Sequence, residues 1–405
     1  MNGHLSAADI PQGFSFAATQ CGLKQSRLDL GILISETPAT AAALFTTNVV
    51  VAPPVIASRE HLKKSRQRMR GVIVNSGNAN CCTHEDGYPA SIATARRLAD
   101  ELGGADASEF IVCSTGVIGA PLRVEKILAA VPQLVQTRSA EAAAFEDFAR
   151  AIMTTDTRPK WAAAKCQTGG KQVRVLGCAK GAGMIQPNMA TMLAFIATDA
   201  AIAAPVLRKV LRSVARTTFN AITVDGDTST NDTVALFANG QSGAVKIKTA
   251  SGADYKNFVG ALERVCRHLA LAIVGDGEGA QRVIEIEVRG APSDSAADRV
   301  ARTIANSPLV KTAFAGADPN WGRILAAAGR SGVVFDPRRT NIWIAGTAVC
   351  RGGREMKFDE AAAHEKMLAK SVQVRLDLGS GRSSAKIWTC DFTKEYVHIN
   401  ASYRT

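Results

Sequence analysis

Thr191 stands where a glycine-rich loop meets an apolar run, in Lys180-Gly-Ala-Gly-Met-Ile-Gln-Pro-Asn-Met-Ala-Thr191-Met-Leu-Ala-Phe195. A threonine hydroxyl is a weak nucleophile until a base lies within hydrogen-bonding reach. Scission before Thr191 would place that base on the same residue, as an α-amino group with an ordinary pKa of about 7.7–8.0. Gly181 and Gly183 give the backbone the freedom that an N-to-O acyl shift between Ala190 and Thr191 requires. Taken alone, the same stretch reads more simply as a turn entering a strand, and both readings stand at this point.

Other chemistries find little material. There is no GxSxG elbow. Gly169-Gly170-Lys171 lacks the spacing of a phosphate-binding loop, and Gly275-Asp-Gly-Glu-Gly279 is not a dinucleotide fingerprint. The six histidines show no metal-ligand spacing and read as surface or satisfied core residues. The nine cysteines contain one adjacent pair, Cys81 and Cys82, but no CxxC and no zinc spacing. Reduced thiols in a cytoplasmic enzyme are the simplest expectation. The run 225–232, rich in acids and hydroxyls, does not fit an EF-hand and reads as turn chemistry near a site. Neither a metal nor a cofactor is expected.

A chain of 405 residues can bury a large core. Its formal charge of +12 raises the question of a polyanionic partner. The basic residues are scattered, however, and the densest run, Lys63, Lys64, Arg66, Arg68 and Arg70, reads as a solvated helix face or turn. With 5% aromatic residues and no known motif, nucleic-acid binding is not expected. No apolar run reaches the roughly 18 to 20 residues of a membrane helix, and the opening residues do not resemble a secretory signal.

These residues need elements to hold them. Apolar runs at 28–34, 71–74, 110–113, 172–176 and 192–197 predict strands. Helical spacing covers 90–102, ending at Gly103, and 141–153; Pro121 suits a helix start, and 158–172 reads as loop. The stretch 177–183 reads as glycine-rich loop. In the second half, helices are expected at 204–217, 255–274, 296–306 and 359–370, with strands at 283–288, 342–344, 372–378 and 385–389. Without a βαβ rhythm or a fixed repeat, this favours layered α/β packing over a Rossmann fold or a barrel.

The Thr191 segment resembles the ornithine acetyltransferase (ArgJ-type glutamate N-acetyltransferase) family. So do Ala42-Ala-Leu-Phe-Thr-Thr-Asn48, Val74-Asn-Ser-Gly-Asn-Ala-Asn80, Ser114-Thr-Gly-Val-Ile-Gly119 and Met153-Thr-Thr-Asp-Thr157. Further along, Thr223-Val-Asp-Gly-Asp-Thr-Ser-Thr-Asn-Asp232, Gly275-Asp-Gly-Glu-Gly-Ala280, Ser307-Pro-Leu-Val-Lys-Thr312, Asp318-Pro-Asn-Trp-Gly-Arg323 and the closing Tyr396–Thr405 segment extend the likeness over the whole chain. Cys81-Cys82 is a departure that touches none of the expected site positions.

The resemblance implies an α-β-β-α fold of the DmpA/ArgJ type that cuts itself between Ala190 and Thr191. The pieces are an α chain of residues 1–190 and a β chain of residues 191–405. It implies that Thr191 takes the acetyl group from N2-acetylornithine and passes it to glutamate, within the cyclic route of arginine biosynthesis. Acetyl-CoA is left open as an additional donor. Thr115 and Gly116 match the oxyanion-hole positions. Substrate contacts carry over onto Thr154 (or its neighbour Thr155), Lys180, Thr191, Glu278, Asn400 and Thr405. Lys180 suits an α-carboxylate and Glu278 the δ-ammonium of ornithine. The partners implied are these small molecules alone, with no nucleic acid and no membrane, and two copies of each piece form a heterotetramer. A self-processing aminopeptidase of related fold is the alternative.

Overall fold

The computed structural model describes residues 5–186 and 192–402. Ala190, Thr191 and Thr405 lie outside the described residues. The first half of the chain contains β1 (Phe14–Thr19), β2 (Leu30–Phe45), α1 (Pro53–Lys64), β3 (Arg68–Asn78), α2 (Gly87–Leu102) and β4 (Phe110–Val117). It continues through α3 (Val124–Thr137), α4 (Ala142–Ala151), β5 (Lys160–Thr168) and β6 (Lys171–Lys180). Then come β7 (Leu193–Thr198), α5 (Ala204–Thr217), β8 (Thr233–Ala238), α6 (Ala253–Val274), β9 (Val283–Ala291), α7 (Asp294–Ala305), α8 (Pro308–Ala315) and α9 (Trp321–Gly329). The chain ends with β10 (Asn341–Ile344), β11 (Thr347–Arg351), β12 (Arg354–Glu355), α10 (Glu360–Met367), β13 (Ser371–Asp377), β14 (Ser383–Cys390) and α11 (Lys394–Ser402).

Strands β4-β3-β2-β8-β7-β6-β5 form one sheet in that order, with β1 added on β2. The long β2 pairs with β3 and β1 through its first half and with β8 through its second, and its register breaks between Ile34 and Ala39. At that break the sheet turns back on itself. Strand alternation shows the result, because successive side chains serve opposite faces. Leu33, Val72, Ile111, Leu176, Phe195 and Phe237 join one buried cluster between the two halves. Their neighbours Ile32, Ile73 and Val112 pack outward with Leu98 of α2 and Val131 of α3. Ile196 and Leu236 pack outward on the other side with Leu207 of α5 and Leu262 of α6. The order is therefore helix, sheet, sheet, helix, and it is the expected layered architecture. Helix α4 closes one end of the interior, with Phe145 at 4.9 Å from Phe16 and Phe148 at 5.7 Å from Phe195.

A second sheet, in the order β12-β11-β10-β13-β9-β14, packs with α7 against the outer face of this sandwich and shares its cluster with α5 and α6. The resemblance did not call for that sheet as a separate layer.

Three local expectations are corrected. Residues 158–172 are not a loop, because β5 pairs with β6 along its full length as a hairpin about Gly169 and Gly170. Gly177 to Lys180 belong to β6, where Gly177 makes room for Ile196, Val265 and Leu269. Pro121 lies ahead of α3 rather than in its first turn. Helix α2 does stop where expected, at Gly103 with φ 61°. The basic run straddles the end of α1, a tight turn in which Arg66 and Gln67 have positive φ, and the start of β3. Among the described residues, no helix is long and apolar enough to cross a membrane.

Candidate active site

The site lies where β4, β6 and β7 end or begin at one edge of the sandwich. Leu193 opens β7 paired with Lys180, the last residue of β6, on one side and Thr233, the first of β8, on the other. The Thr233 N–H donates to the Met192 carbonyl at 2.9 Å, which fixes the chain one residue beyond Thr191. Thr115 and Gly116 are near the end of strand β4, not after it, paired with Ser76 and Gly77 of β3. Gly116 has φ 130°, and a Cβ there would stand 2.4 Å from the Gly77 carbonyl carbon. Only glycine fits that crossing.

The polar loop 225–232 caps these strand ends. Asn231 Nδ2 donates to the Ala79 carbonyl at 2.5 Å and to the Ser114 carbonyl at 2.9 Å. Thr46 Oγ1 donates to the Ser229 carbonyl at 2.6 Å, and Asn48 Nδ2 to the Thr228 carbonyl at 2.8 Å. The segments 42–48 and 74–80, to which no catalytic role was assigned, thus hold the loop and the β4 end in register. Asp225 accepts from the backbone N–H groups of Met184 and Ile185 at 2.6 and 2.8 Å, which pins the far side of the glycine-rich turn.

A buried ion network sets the remaining side chains. Lys160 Nζ lies 2.5 Å from both Asp156 Oδ1 and Asp276 Oδ2. Asp156 also accepts from the Gly181 and Thr154 N–H groups at 2.7 and 3.0 Å. Asp276 accepts from the Thr157 N–H at 3.1 Å. One lysine therefore ties together the turns carrying Thr154, Lys180 and Glu278. Lys180 Nζ donates to Thr154 Oγ1 at 3.3 Å. The Glu278 N–H donates to the Ala182 carbonyl at 2.9 Å, and its carboxylate accepts from Asn400 Nδ2 at 2.8 Å.

The outcome is a cavity of about 90 Å³ that brings together Thr115, Gly116, Thr154, Lys180, Glu278 and Asn400, six of the residues expected from sequence. Thr155 lines it as well, but the Lys180 contact belongs to Thr154. Met192 and Leu193 form part of its wall. Ala190, Thr191 and Thr405 lie outside the described residues, so their expected places in the site stand as expectations. Asp232, Ser229 and Thr230 also line the cavity; the sequence placed their run near a site as turn chemistry but gave none of them a role in it. A signal was available, since Asp232 is the charge directly before the wholly buried strand β8.

Charge in the cavity is poorly solvated. Burial pulls the Lys180 ammonium below the ordinary lysine range, against the opposing pull of Asp156 and Asp232. Burial likewise pushes the Asp232 carboxyl well up, with Lys180 and Ser229 acting the other way. Among the described residues, no three histidine, cysteine or acidic side chains are grouped so as to hold a metal ion.

The ArgJ family model matches residues 15–405. The chain is similar to the arginine biosynthesis bifunctional protein ArgJ of Thermotoga neapolitana, with 46% identity over 400 residues, 98% of this chain and 100% of that protein. It is similar to the protein of the same name from Symbiobacterium thermophilum, with 46% identity covering 98% of each. A crystal structure of the Bacillus halodurans arginine biosynthesis bifunctional protein argJ is 42% identical, with a TM-score of 0.49, over 51% of this chain and 96% of that one.

Proposed function

The chain belongs to the ArgJ family, and on that premise we propose that it transfers the acetyl group of N2-acetylornithine to glutamate in arginine biosynthesis. The chain opens between Ala190 and Thr191, and the new amine becomes the base for the Thr191 hydroxyl. Thr191 attacks the acetyl carbonyl, ornithine leaves, and glutamate collects the acetyl group from the threonine ester. Thr115 and the Gly116 N–H stabilise the oxyanion. Lys180, steadied by Thr154, pairs with the α-carboxylate that both amino acids share. Glu278, held by Asn400, takes the δ-ammonium of ornithine, with Thr405 closing the site.

One observation carries this reading. A small cavity beside Met192 holds an oxyanion-type strand end, a half-buried cation and a buried anion, which are the groups a short zwitterionic amino acid needs. The charges also weigh against a peptide-cutting relative, which needs an open cleft. The word bifunctional in the relatives' names supports acetyl-CoA as a second donor. No resident cofactor enters the reaction. By the family resemblance, two copies of each piece act together in the cytoplasm.

The test is direct. Purified protein should run as two pieces on a denaturing gel, the second beginning at Thr191 by mass spectrometry. It should exchange acetyl between ornithine and glutamate. Thr191→Ala should stay whole and inactive; normal turnover by that variant overturns the mechanism. Glutamate with acetyl-CoA alone reads the second donor.

A further inference from the structure

Among the described residues, three buried side-chain polar atoms lack a hydrogen-bond partner: Arg70 Nε, Arg282 Nε and Asp232 Oδ2. The third is an acceptor in the site cavity, on a side chain only 2% exposed. Leaving a buried carboxylate oxygen without a donor is costly, so a site that keeps one is built for a donor that comes and goes. Ser229 satisfies part of the carboxyl group. From β6, Lys180 is the charge that acts on it. Asp156 and Glu278 act on Lys180 instead, and the Cys81 and Cys113 thiols on the β4 side are kept protonated by burial.

The proposed exchange contains a proton that Thr191 does not handle. Free amino acids carry α-ammonium groups, which have no lone pair, so an arriving acceptor must shed a proton before it can attack. The departing amine must regain one to leave in its stable form.

We infer that Asp232 binds the α-nitrogen of the amino acid in the cavity and carries this ammonium proton, taking it from arriving glutamate and returning it to departing ornithine. The inference rests on the acetyl-exchange reading above. In deacylation, the Asp232 carboxylate accepts one proton from the glutamate ammonium. The freed lone pair forms the C–N bond, the ester C–O bond breaks, and a second amine proton passes through the Thr191 amine to the threonine oxygen. In acylation, the threonine hydroxyl proton passes through the same amine to the breaking C–N bond. The released neutral amine then takes the proton held on Asp232. One turnover returns every group to its starting state. The raised affinity of the buried Asp232 carboxyl for protons suits it to hold one near neutral pH.

The test uses the processed enzyme and its Asp232→Asn variant, with acetyl transfer followed to two acceptors. With glutamate, the variant should be slower by about 10²-fold, the usual scale of general acid–base help. Its rate should climb about tenfold per pH unit, because only the free-amine fraction reacts, while wild type is level near neutral pH. With hydroxylamine, an acceptor already neutral at that pH, the variant should be slowed less than with glutamate and its rate should show no such climb, while cleavage before Thr191 and a wild-type melting temperature show that it is folded. Asp232→Glu should restore the level profile. The inference is overturned if the variant serves glutamate at the wild-type rate, if it loses both acceptors equally, or if its chain stays whole. Wild type that neither cuts before Thr191 nor exchanges acetyl overturns the underlying reading instead.

Discussion

The Asn400 amide donates to Glu278 Oε2 at 2.8 Å, so α11 is tied to the turn after α6 by the carboxylate expected to meet a substrate cation. Glu278→Gln keeps the shape and removes the charge. Its KM for acetylornithine should rise about tenfold, the worth of one charged hydrogen bond, with a smaller change for glutamate. Steady-state kinetics with each substrate varied decides it; an unchanged acetylornithine KM removes Glu278 from the ammonium site.

Gly183 offers a second route to the same residue. A Cβ at Gly183 would lie 2.5 Å from Glu278 Oε2 and 2.6 Å from its carboxyl carbon, and its three nearest neighbours are all atoms of that carboxylate. Gly183→Ala should therefore displace the carboxylate and copy the Glu278→Gln pattern in KM while melting within a few degrees of wild type. A variant with normal KM values would show that Glu278 moves aside without consequence.

Gly116→Ala meets backbone rather than a movable side chain, at 2.4 Å from Gly77 C and 2.6 Å from Asn78 N. The end of β4 must shift, and with it the Gly116 N–H that we propose as an oxyanion donor. A fall in kcat of about 10²–10³-fold is expected, the scale of one lost oxyanion donor. It should come with a lower melting temperature. Full kcat would place the oxyanion elsewhere.

The ion network predicts an acid limit. Burial by itself would raise the Asp156 pKa, but Lys160, Lys180 and the Gly181 N–H together hold it below the ordinary carboxylate range. A group with a depressed folded pKa stabilises the fold above its unfolded pKa and loses that contribution as pH falls through its folded one. Read as the difference in melting temperature between wild type and Asp156→Asn, this contribution should be level from neutral pH to about 5 and shrink below about 4. Lys160→Met strands two buried carboxylates and should cost about 3–5 kcal/mol at neutral pH, measured by urea unfolding in the uncut Thr191→Ala background. A loss near zero would mean that water enters the network.

The parts legible in sequence are those governed by local periodicity. The buried run 193–198 and the helix 204–217 read directly, since nearly every residue of one and a whole face of the other are apolar. Strand β5 did not, because it is an edge strand with polar residues at Lys165 and Gln167, and its partner is supplied by the fold. The short helices α8 and α9 hide beside Pro308 and Asn320, residues that read as loop until the helix they start is seen. Six residues that the family likeness named, spread over distinct motifs, line one cavity. The segment of Asp232 was placed near a site, but its unpaired oxygen was not legible, since that is a fact about what surrounds it.

The strand order β2-β8-β7-β6 sets how such a molecule ages. Two strands from beyond residue 191 sit in a slot between two strands from before it, laddered on both flanks. Neither piece of an opened chain keeps a complete sandwich of its own. Heat that once pulls the slot apart leaves two partners with no continuous backbone to guide them home, so the processed enzyme should lose activity on a clock rather than at an equilibrium. Replacement of a chain opened as proposed then depends on fresh synthesis of the uncut one.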